Sequence, residues 1–212
     1  MRRLFIALAA AGLVVPAAAN AQRMVGSYVV AYSDQALIGT LSGYQFQSTM
    51  ARKGLLSGTF NFGRHTGSHL RRGIACGGLL PPPPACPVET LRDETTAIDI
   101  GATLDVRLFQ RVFGAPIEGT GSVGAQVLHV ENVSRGQTTG DGIGAKGTKL
   151  GPTLGFDLSA QPKAALPIGL RLGVVGGVFS ETDSGILDGY TPFDAGFTFT
   201  RFELGLVWFL QR

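Results

Sequence analysis

The sequence predicts an all-β protein, an eight-stranded antiparallel up-and-down β-barrel that spans a membrane. Residues 95–109 alternate apolar and polar side chains and place Asp99, Asp105 and Arg107 on one face of a strand. Glycine is abundant, with 31 residues, and charged residues make up only 16% of the chain. Beyond residue 21 no apolar run is long enough for a membrane helix. Strands are therefore the elements by which this chain could cross a bilayer.

The amino-terminal segment, residues 1–21, has the pattern of a secretory signal peptide: two arginines, an apolar run, and an Ala-Asn-Ala cleavage site ending at Ala21. Pro16 interrupts the apolar run before it reaches the roughly 20 residues of a membrane anchor. Residues 22–212 are expected to form one barrel domain. Removing the two arginines lowers the formal charge from +3 to +1, which leaves no basic surplus for a nucleic-acid partner.

Eight segments with period-two alternation, each bounded by turn residues, are predicted as strands. They are residues 25–33, 36–48, 54–65, 95–109, 117–131, 150–160, 167–180 and 195–210. In the seventh segment, for example, Leu170 and Leu172 flank Arg171. Such a dyad predicts a sheet with one apolar and one polar face.

The links between these segments alternate in length. If the first strand runs outward, the short links lie on the periplasmic side and the long links lie outside the cell. The short links are 49–53, 110–116 and 161–166, and the long links are 66–94, 132–149 and 181–194. Residues 34–35 are the exception, a tight external turn. Short periplasmic turns and long external loops are typical of outer-membrane barrels.

The last strand, RFELGLVWFLQR, carries Glu203, Gly205, Trp208 and Leu210. This pattern resembles the C-terminal assembly signal of Gram-negative outer-membrane proteins. In that signal a polar residue precedes a glycine and then alternating large apolar or aromatic residues. With the signal peptide, it makes most of residues 25–210 similar to small OmpA/OmpX-like β-barrel proteins. The resemblance implies a monomer in the bacterial outer membrane, in contact with its lipid and inserted by the barrel assembly machinery.

The polar faces of the strands are expected to line the barrel lumen. The charged residues predicted there are Asp99, Asp105, Arg107, Glu118, Asp157, Arg171, Arg201 and Glu203. The interior of an eight-stranded barrel is just wide enough for side chains, so opposite charges should pair and plug it. A soluble sandwich, with the same charges on a solvated face, remains the alternative, because alternation alone does not say which face is wet.

Cys76 and Cys86 flank four prolines in the longest external link. The secreted context predicts a disulfide between them. A metal site with His65 and His69 is disfavoured, because the spacing matches no common zinc pattern. No metal is predicted.

Two stretches, residues 119–124 and 142–147, fit the dinucleotide fingerprint G-x-G-x-x-G. Neither stands between a buried strand and a helix, which phosphate binding by this motif requires. With so many glycines in the chain, such matches are expected by chance. No cofactor is predicted.

The favoured function is a structural or surface-interaction protein without catalysis. The first alternative is a lipid-modifying barrel enzyme, for which His129 is the strand-borne candidate, although a lone histidine at the interface is more typical of an interfacial residue. The second alternative is a narrow pore for small solutes. Arg64, His65, Arg71 and Arg72 are predicted near the outer rim, where they could contact lipopolysaccharide phosphates.

Overall fold

Eight antiparallel strands close into one ring in the computed structural model, each paired with its neighbours in sequence and the first with the last. They are β1 (Ala21–Ser33), β2 (Thr40–Met50), β3 (Leu56–Ile74), β4 (Val88–Phe109), β5 (Ile117–Gly136), β6 (Gly142–Ala160), β7 (Ile168–Phe179) and β8 (Phe197–Phe209). The structure describes residues 21–34, 38–50, 55–74, 88–138, 140, 142–160, 167–179 and 196–209. Within these ranges there is no helix long and apolar enough to cross a membrane. The predicted fold class is confirmed.

The strands are strongly staggered around the ring. Successive backbone partners, followed once around from Arg23, are Thr49, Thr59, Thr103, Gly124, Thr153, Gly177, Phe199 and finally Ser33. The path therefore returns to β1 ten residues beyond Arg23, its starting point. Stagger of this kind tilts the strands and sets the barrel width, and eight strands leave a lumen that side chains can fill.

The apolar face of each strand points outward. Leu104 is 50% exposed, whereas the next residue, Asp105, is only 4% exposed. Leu172 and Arg171 differ in the same way. A soluble barrel or sandwich would bury the leucines and expose the charges, so the soluble alternative is wrong. An apolar exterior around a polar interior is the arrangement of a membrane-spanning barrel.

The structure differs from the predicted external links on one side of the barrel. β3 continues to Ile74 and β4 begins at Val88, within the predicted link 66–94. Likewise β5 and β6 occupy most of the predicted link 132–149. The backbone ladder continues here while both faces of the strands carry polar and charged side chains, so hydrophobic alternation no longer marks the strands.

These four strands form a sheet that rises beyond the ladder between β2 and β3, which ends at Thr66. We call this sheet the β3–β6 extension. It comprises residues 67–74, 88–95, 132–136 and 142–145, which remain paired side by side. The extension gives the barrel one tall wall on its external side.

The remaining links are short or fall partly outside the described residues. The first external link is longer than the predicted turn at 34–35, since the backbone N–H of Ser33 donates to the carbonyl of Gly39 at 3.1 Å. At the periplasmic end, Phe113 and Gly114 have φ values of 49° and 82°. Positive φ at both positions is typical of a two-residue type I′ hairpin turn.

The predicted signal peptide and the predicted disulfide fall outside the described residues. Residues 1–20 hold most of the signal peptide, and residues 75–87 hold Cys76 and Cys86. The cleavage after Ala21 and the disulfide therefore stay predictions.

Candidate functional site

The lumen contains a connected group of five charged residues, which we call the charged layer. Its members are Asp99, Asp157, Arg171, Arg201 and Glu203. Arg201 donates from Nε to Glu203 at 2.8 Å and from Nη1 to Asp99. Arg171 donates to the other Glu203 oxygen at 2.7 Å, and its Nε lies 3.4 Å from Asp157. All five are buried, so these charges depend on one another for neutralisation.

Small residues on neighbouring strands make room for this layer. Asp99 lies opposite Gly63 on β3, and Glu203 lies opposite Gly173 on β7. A methyl group built at Gly63 would overlap the Asp99 carboxylate and would lie 2.8 Å from Nε2 of His65. The glycine is thus required by the carboxylate and histidine that occupy the space next to it.

Three buried glutamines complete the hydrogen bonds of the charged layer. Gln126 donates to Asp99 at 2.6 Å, and Gln47 donates to Glu203 at 3.0 Å. The Gln45 amide, oriented with its nitrogen toward Glu203 at 2.8 Å, accepts from the Arg201 guanidinium at 2.9 Å. These uncharged residues were not among the predicted lumen network. Their position on the polar face of predicted strands was the available signal.

His65 lies at the external boundary of the charged layer and is fully buried. Its Nε2 is 3.3 Å from Asp99, and its ring centroid is 6.5 Å from that of Phe199. The sequence analysis expected His65 near the outer rim. The structure instead turns it into the lumen, because it shares a strand face with Asn61 and Gly63.

A second group of polar residues lies toward the periplasmic end. Arg23, which the sequence analysis missed because the first strand was begun at residue 25, forms an ion pair with Glu118 at 3.0 Å. Asp105 accepts hydrogen bonds from Thr59 and, at 2.7 Å, from Thr103. Its direct partners are therefore hydroxyl groups.

Arg107 lies near the same end, next to a bulge between Arg107 and Phe109 that disturbs the ladder with β5. It is half-buried, and its guanidinium contacts the side-chain amide of Gln110. The sequence analysis placed it with the other lumen charges; the structure puts it at the rim of the lumen.

An apolar cluster, which the sequence analysis did not predict, fills the lumen on the external side of the charged layer. We call it the apolar layer. Its members are Val29, Ala31, Ile38, Leu41, Ala97, Leu128, Val130, Phe179, Phe197 and Phe199. The rings of Phe179 and Phe197 lie 5.1 Å apart. The buried Lys149 places its ammonium 5.9 Å from the centroid of Phe197, a favourable cation–π distance.

Beyond the apolar layer, within the β3–β6 extension, a polar cluster surrounds Asp93. This carboxylate is fully buried and accepts from Arg71 at 2.6 Å and from the hydroxyl of Ser134. His69 lies 3.3 Å away. Arg71, predicted near the outer rim as a possible lipopolysaccharide contact, instead faces inward and donates to Asp93. Among the described residues, no group of three or more His, Cys, Asp or Glu side chains could hold a metal ion.

The outer surface of the tall wall carries four exposed basic residues, which we call the basic outer face. They are Arg64, Arg72, Arg135 and Lys146. None of them has an ion-pair partner among the described residues, whereas nearby Arg92 pairs with Glu94 at 3.3 Å. The row of backbone partners just below Arg64 is apolar and includes Phe62. The basic outer face therefore begins where the apolar exterior ends.

His129 lies on the same outer surface and contacts two polar side chains. Its Nδ1 is 2.7 Å from the hydroxyl of Thr148 on β6, and its Nε2 is 3.5 Å from the Glu131 carboxylate. The sequence analysis singled out His129 but not these partners, because Thr148 lay in a predicted loop.

The residues of the predicted assembly signal have different environments. Glu203 belongs to the charged layer. Gly205 lies opposite Ser27, whose hydroxyl a side chain at 205 would overlap. Trp208 faces outward, with its ring over Gly26. Leu210 is outside the described residues.

Comparison with known proteins gives matches in structure only. No family model and no curated protein matches this sequence. A crystal structure of Ail from Yersinia pestis is similar with a TM-score of 0.50 and 10% identity, over 88% of this chain and 95% of that chain. A second Ail structure, in complex with the heparin analogue sucrose octasulfate, matches equally. Neisserial surface protein A is similar with a TM-score of 0.51 and 12% identity, over 89% and 96%.

Ail and Neisserial surface protein A are small eight-stranded outer-membrane β-barrel proteins of Gram-negative bacteria. This chain has the same fold. Its outward leucines and aromatic residues give it the exterior that such a barrel presents to lipid. This fold and this exterior agree with the predicted localisation in the bacterial outer membrane.

Proposed function

We propose that this protein is a closed outer-membrane barrel that serves as a structural or surface-interaction protein, without catalysis and without conducting solutes. The observation that carries the proposal is the stacking of two different layers in the lumen, the charged layer and the apolar layer. Either one alone would hinder ion flow. Together they remove both the water and the free charge that conduction needs.

The two layers block the passage of ions in different ways. In the charged layer, each guanidinium is held by carboxylates and each glutamine by those same carboxylates, so a passing ion would have to displace buried ion pairs. In the apolar layer, aromatic and aliphatic side chains exclude water, and dewetting of such a constriction is itself a barrier to ions. A solute that passed one layer would still meet the other.

We further propose that the basic outer face contacts the phosphate groups of lipopolysaccharide. The four cations have no ion-pair partners among the described residues. Arg64 lies directly above the apolar exterior, the level at which lipid headgroups begin, and the other three lie farther out on the same surface. Guanidinium groups bind phosphate through charge-assisted, bidentate hydrogen bonds. The barrel is proposed to work as a monomer that the barrel assembly machinery inserts through the strand containing Glu203, Gly205 and Trp208.

Titration of lipopolysaccharide into the detergent-solubilised barrel tests the partner. Exchanging Arg64 and Lys146 together for glutamine should weaken binding at least tenfold, since each lost charge-assisted contact is worth about 1.5–3 kcal/mol. Arg111→Gln, an exposed change in a periplasmic turn, is the matched control and should leave binding unchanged. Equal affinity for all variants, or for dephosphorylated lipopolysaccharide, would contradict the phosphate contact.

Sulfated sugars offer a useful competitor in this experiment. One Ail structure is a complex with sucrose octasulfate, a heparin analogue. If the basic outer face of this chain recognises phosphate charge, sucrose octasulfate should compete with lipopolysaccharide. If the sulfated sugar binds more tightly than lipopolysaccharide, the result would favour a sulfated glycan over membrane lipid as the partner.

One observation favours a second candidate, a lipid-modifying enzyme. Thr148, His129 and Glu131 stand in the order nucleophile, base and orienting carboxylate, with distances of 2.7 Å and 3.5 Å. Against it, the backbone N–H groups of β5 and β6 pair with each other in the ladder, which leaves few donors for an oxyanion hole. Fatty-acid release from outer-membrane lipid, lost in His129→Gln, would establish this candidate; no release supports the non-catalytic proposal.

A further inference from the structure

A small cavity is enclosed in the periplasmic half of the lumen, next to the charged layer. Its volume is about 20 Å³, room for one water molecule or one ion of similar size. Oxygen-bearing side chains form much of its wall, among them Asn61, Asp105, Asp157 and Ser122. The contents of this cavity have to satisfy those oxygens.

Two of these oxygens lack a hydrogen-bond donor. Asn61 is 4% exposed, and its Oδ1 accepts no hydrogen bond. Asp157 is 5% exposed, and its Oδ1 likewise accepts none, the nearest cationic atom being Nε of Arg171 at 3.4 Å. A buried acceptor without a hydrogen bond is destabilising. Both residues line the cavity, so a donor or a cation inside it would satisfy these oxygens.

The arginines on the cavity wall are already engaged elsewhere. Arg171 and Arg201 are shared among three carboxylates of the charged layer. Arg23 donates to Thr49 at 3.3 Å and to Glu118 at 3.0 Å. Their hydrogen bonds and ion pairs are therefore made with groups other than Asp105.

Asp105 consequently has no direct ion pair. Its hydrogen-bond partners are the hydroxyls of Thr59 and Thr103, and its charge is attracted by Arg23 at a distance and repelled by Asp157. Whatever charge His65 carries beside Asp99, this part of the lumen holds more negative than positive charge. An uncompensated buried carboxylate is costly, and a water molecule would supply hydrogen bonds but no charge.

We propose that the cavity binds a monovalent cation of the sodium class, with Asp105, Asp157 and the Asn61 amide oxygen among its ligands. Carboxylate and carbonyl oxygens are hard ligands suited to such an ion. Two carboxylates beside engaged guanidinium groups fit a single positive charge better than a double one. The ion then supplies positive charge beside Asp105 and a close contact for the two oxygens that accept no hydrogen bond.

Urea unfolding of the refolded barrel in detergent tests this site, with sodium chloride compared with choline chloride at equal concentration. Because sodium binds the folded state, the folding equilibrium constant should rise about tenfold for each tenfold increase in sodium above its dissociation constant. Choline is too large for the cavity and should act only through screening. Asp105→Asn should abolish the sodium-specific response, and Asn61→Ala, which leaves the charge unchanged, should weaken it.

Glu94→Gln is the matched control. It removes an exposed carboxylate that pairs with Arg92 and does not line the cavity, so the sodium response should persist. Equal responses to sodium and choline would overturn the site. So would a sodium response that survives Asp105→Asn, or an Asp105→Asn protein that is more stable than wild type in every salt, which would mean that the carboxyl carries a proton instead.

Discussion

The charged layer and the apolar layer fill the same lumen in opposite ways. The charged layer joins side chains of four strands through ion pairs of 2.7–3.4 Å, and glutamines complete its hydrogen bonds. The apolar layer has no such directional contacts and depends on close packing of side chains such as Leu128 and Phe179. The first should be sensitive to the identity of single partners, and the second to lost volume.

The two layers also contribute differently to the stability and the closure of the barrel. Buried ion pairs add little net stability but penalise any structure that breaks them, so the charged layer fixes the arrangement of the strands around it. The apolar layer contributes favourable burial and keeps water out. A lumen with both is closed by two independent means.

Loss of a charged-layer arginine should have the largest effect. Arg201→Ala leaves Asp99 and Glu203 buried with too little positive charge, which typically costs about 3–5 kcal/mol. Urea unfolding of the refolded barrel measures it. Arg107→Ala is the matched control; since Arg107 is half-buried at the rim, its cost should be about 1 kcal/mol or less. Equal costs for the two variants would mean that the charged layer is not a distinct network.

Truncation in the apolar layer should be costly for a different reason. Leu128→Ala leaves a cavity among fully buried neighbours, at a typical cost of about 2–5 kcal/mol. Leu128→Met keeps the volume and should cost less than about 1.5 kcal/mol. Unfolding titrations that give both variants the same stability would show that volume is not what this layer depends on.

A charge on the outer wall tests which side of each strand faces lipid. Leu104→Arg should destabilise the barrel in lipid bilayers by about 2–4 kcal/mol if Leu104 lies near the midplane. The exposed position Thr66, beyond the apolar rows, should accept arginine with little effect. Tolerance of arginine at position 104 would argue against a lipid-facing surface.

The smallest expected change in stability comes from substitutions at two glycines on β3. Gly63→Ala would press a methyl group into Asp99 and His65, and overpacking of this kind costs about 1–3 kcal/mol. Gly58→Ala meets nothing within 4 Å and should be neutral or stabilising by about 0.5–1 kcal/mol. A Gly63→Ala barrel as stable as the Gly58→Ala barrel would show that the contact between Asp99 and His65 can move freely.

The strands that form the barrel wall could be predicted from the sequence. The contacts between side chains inside the lumen could not. Alternation at Leu104 and Asp105 fixes which face each side chain occupies, and both faces agree with the structure. Period two does not tell which residues meet across the lumen. The alternation therefore gave no partner for His65. It also did not indicate that Gln126 contacts Asp99.

The apolar layer and the β3–β6 extension were missed for related reasons. Ala97, Leu128 and Phe199 share strand faces with charged residues, so a face predicted as polar also contains an apolar stretch. In the extension, both faces carry polar and charged side chains, and the regular hydrophobic alternation disappears although the backbone ladder continues from Gly67 to Ile74.

Conductance across planar lipid bilayers tests the central claim most directly, with folding of each sample checked by heat-modifiable gel mobility. The wild-type barrel should give no discrete current steps. Leu128→Ala and Arg201→Ala alone should remain closed, because in each variant the other layer is intact. Steady single-channel steps from the correctly folded wild-type protein would contradict a lumen closed by the charged and apolar layers and would favour a narrow pore.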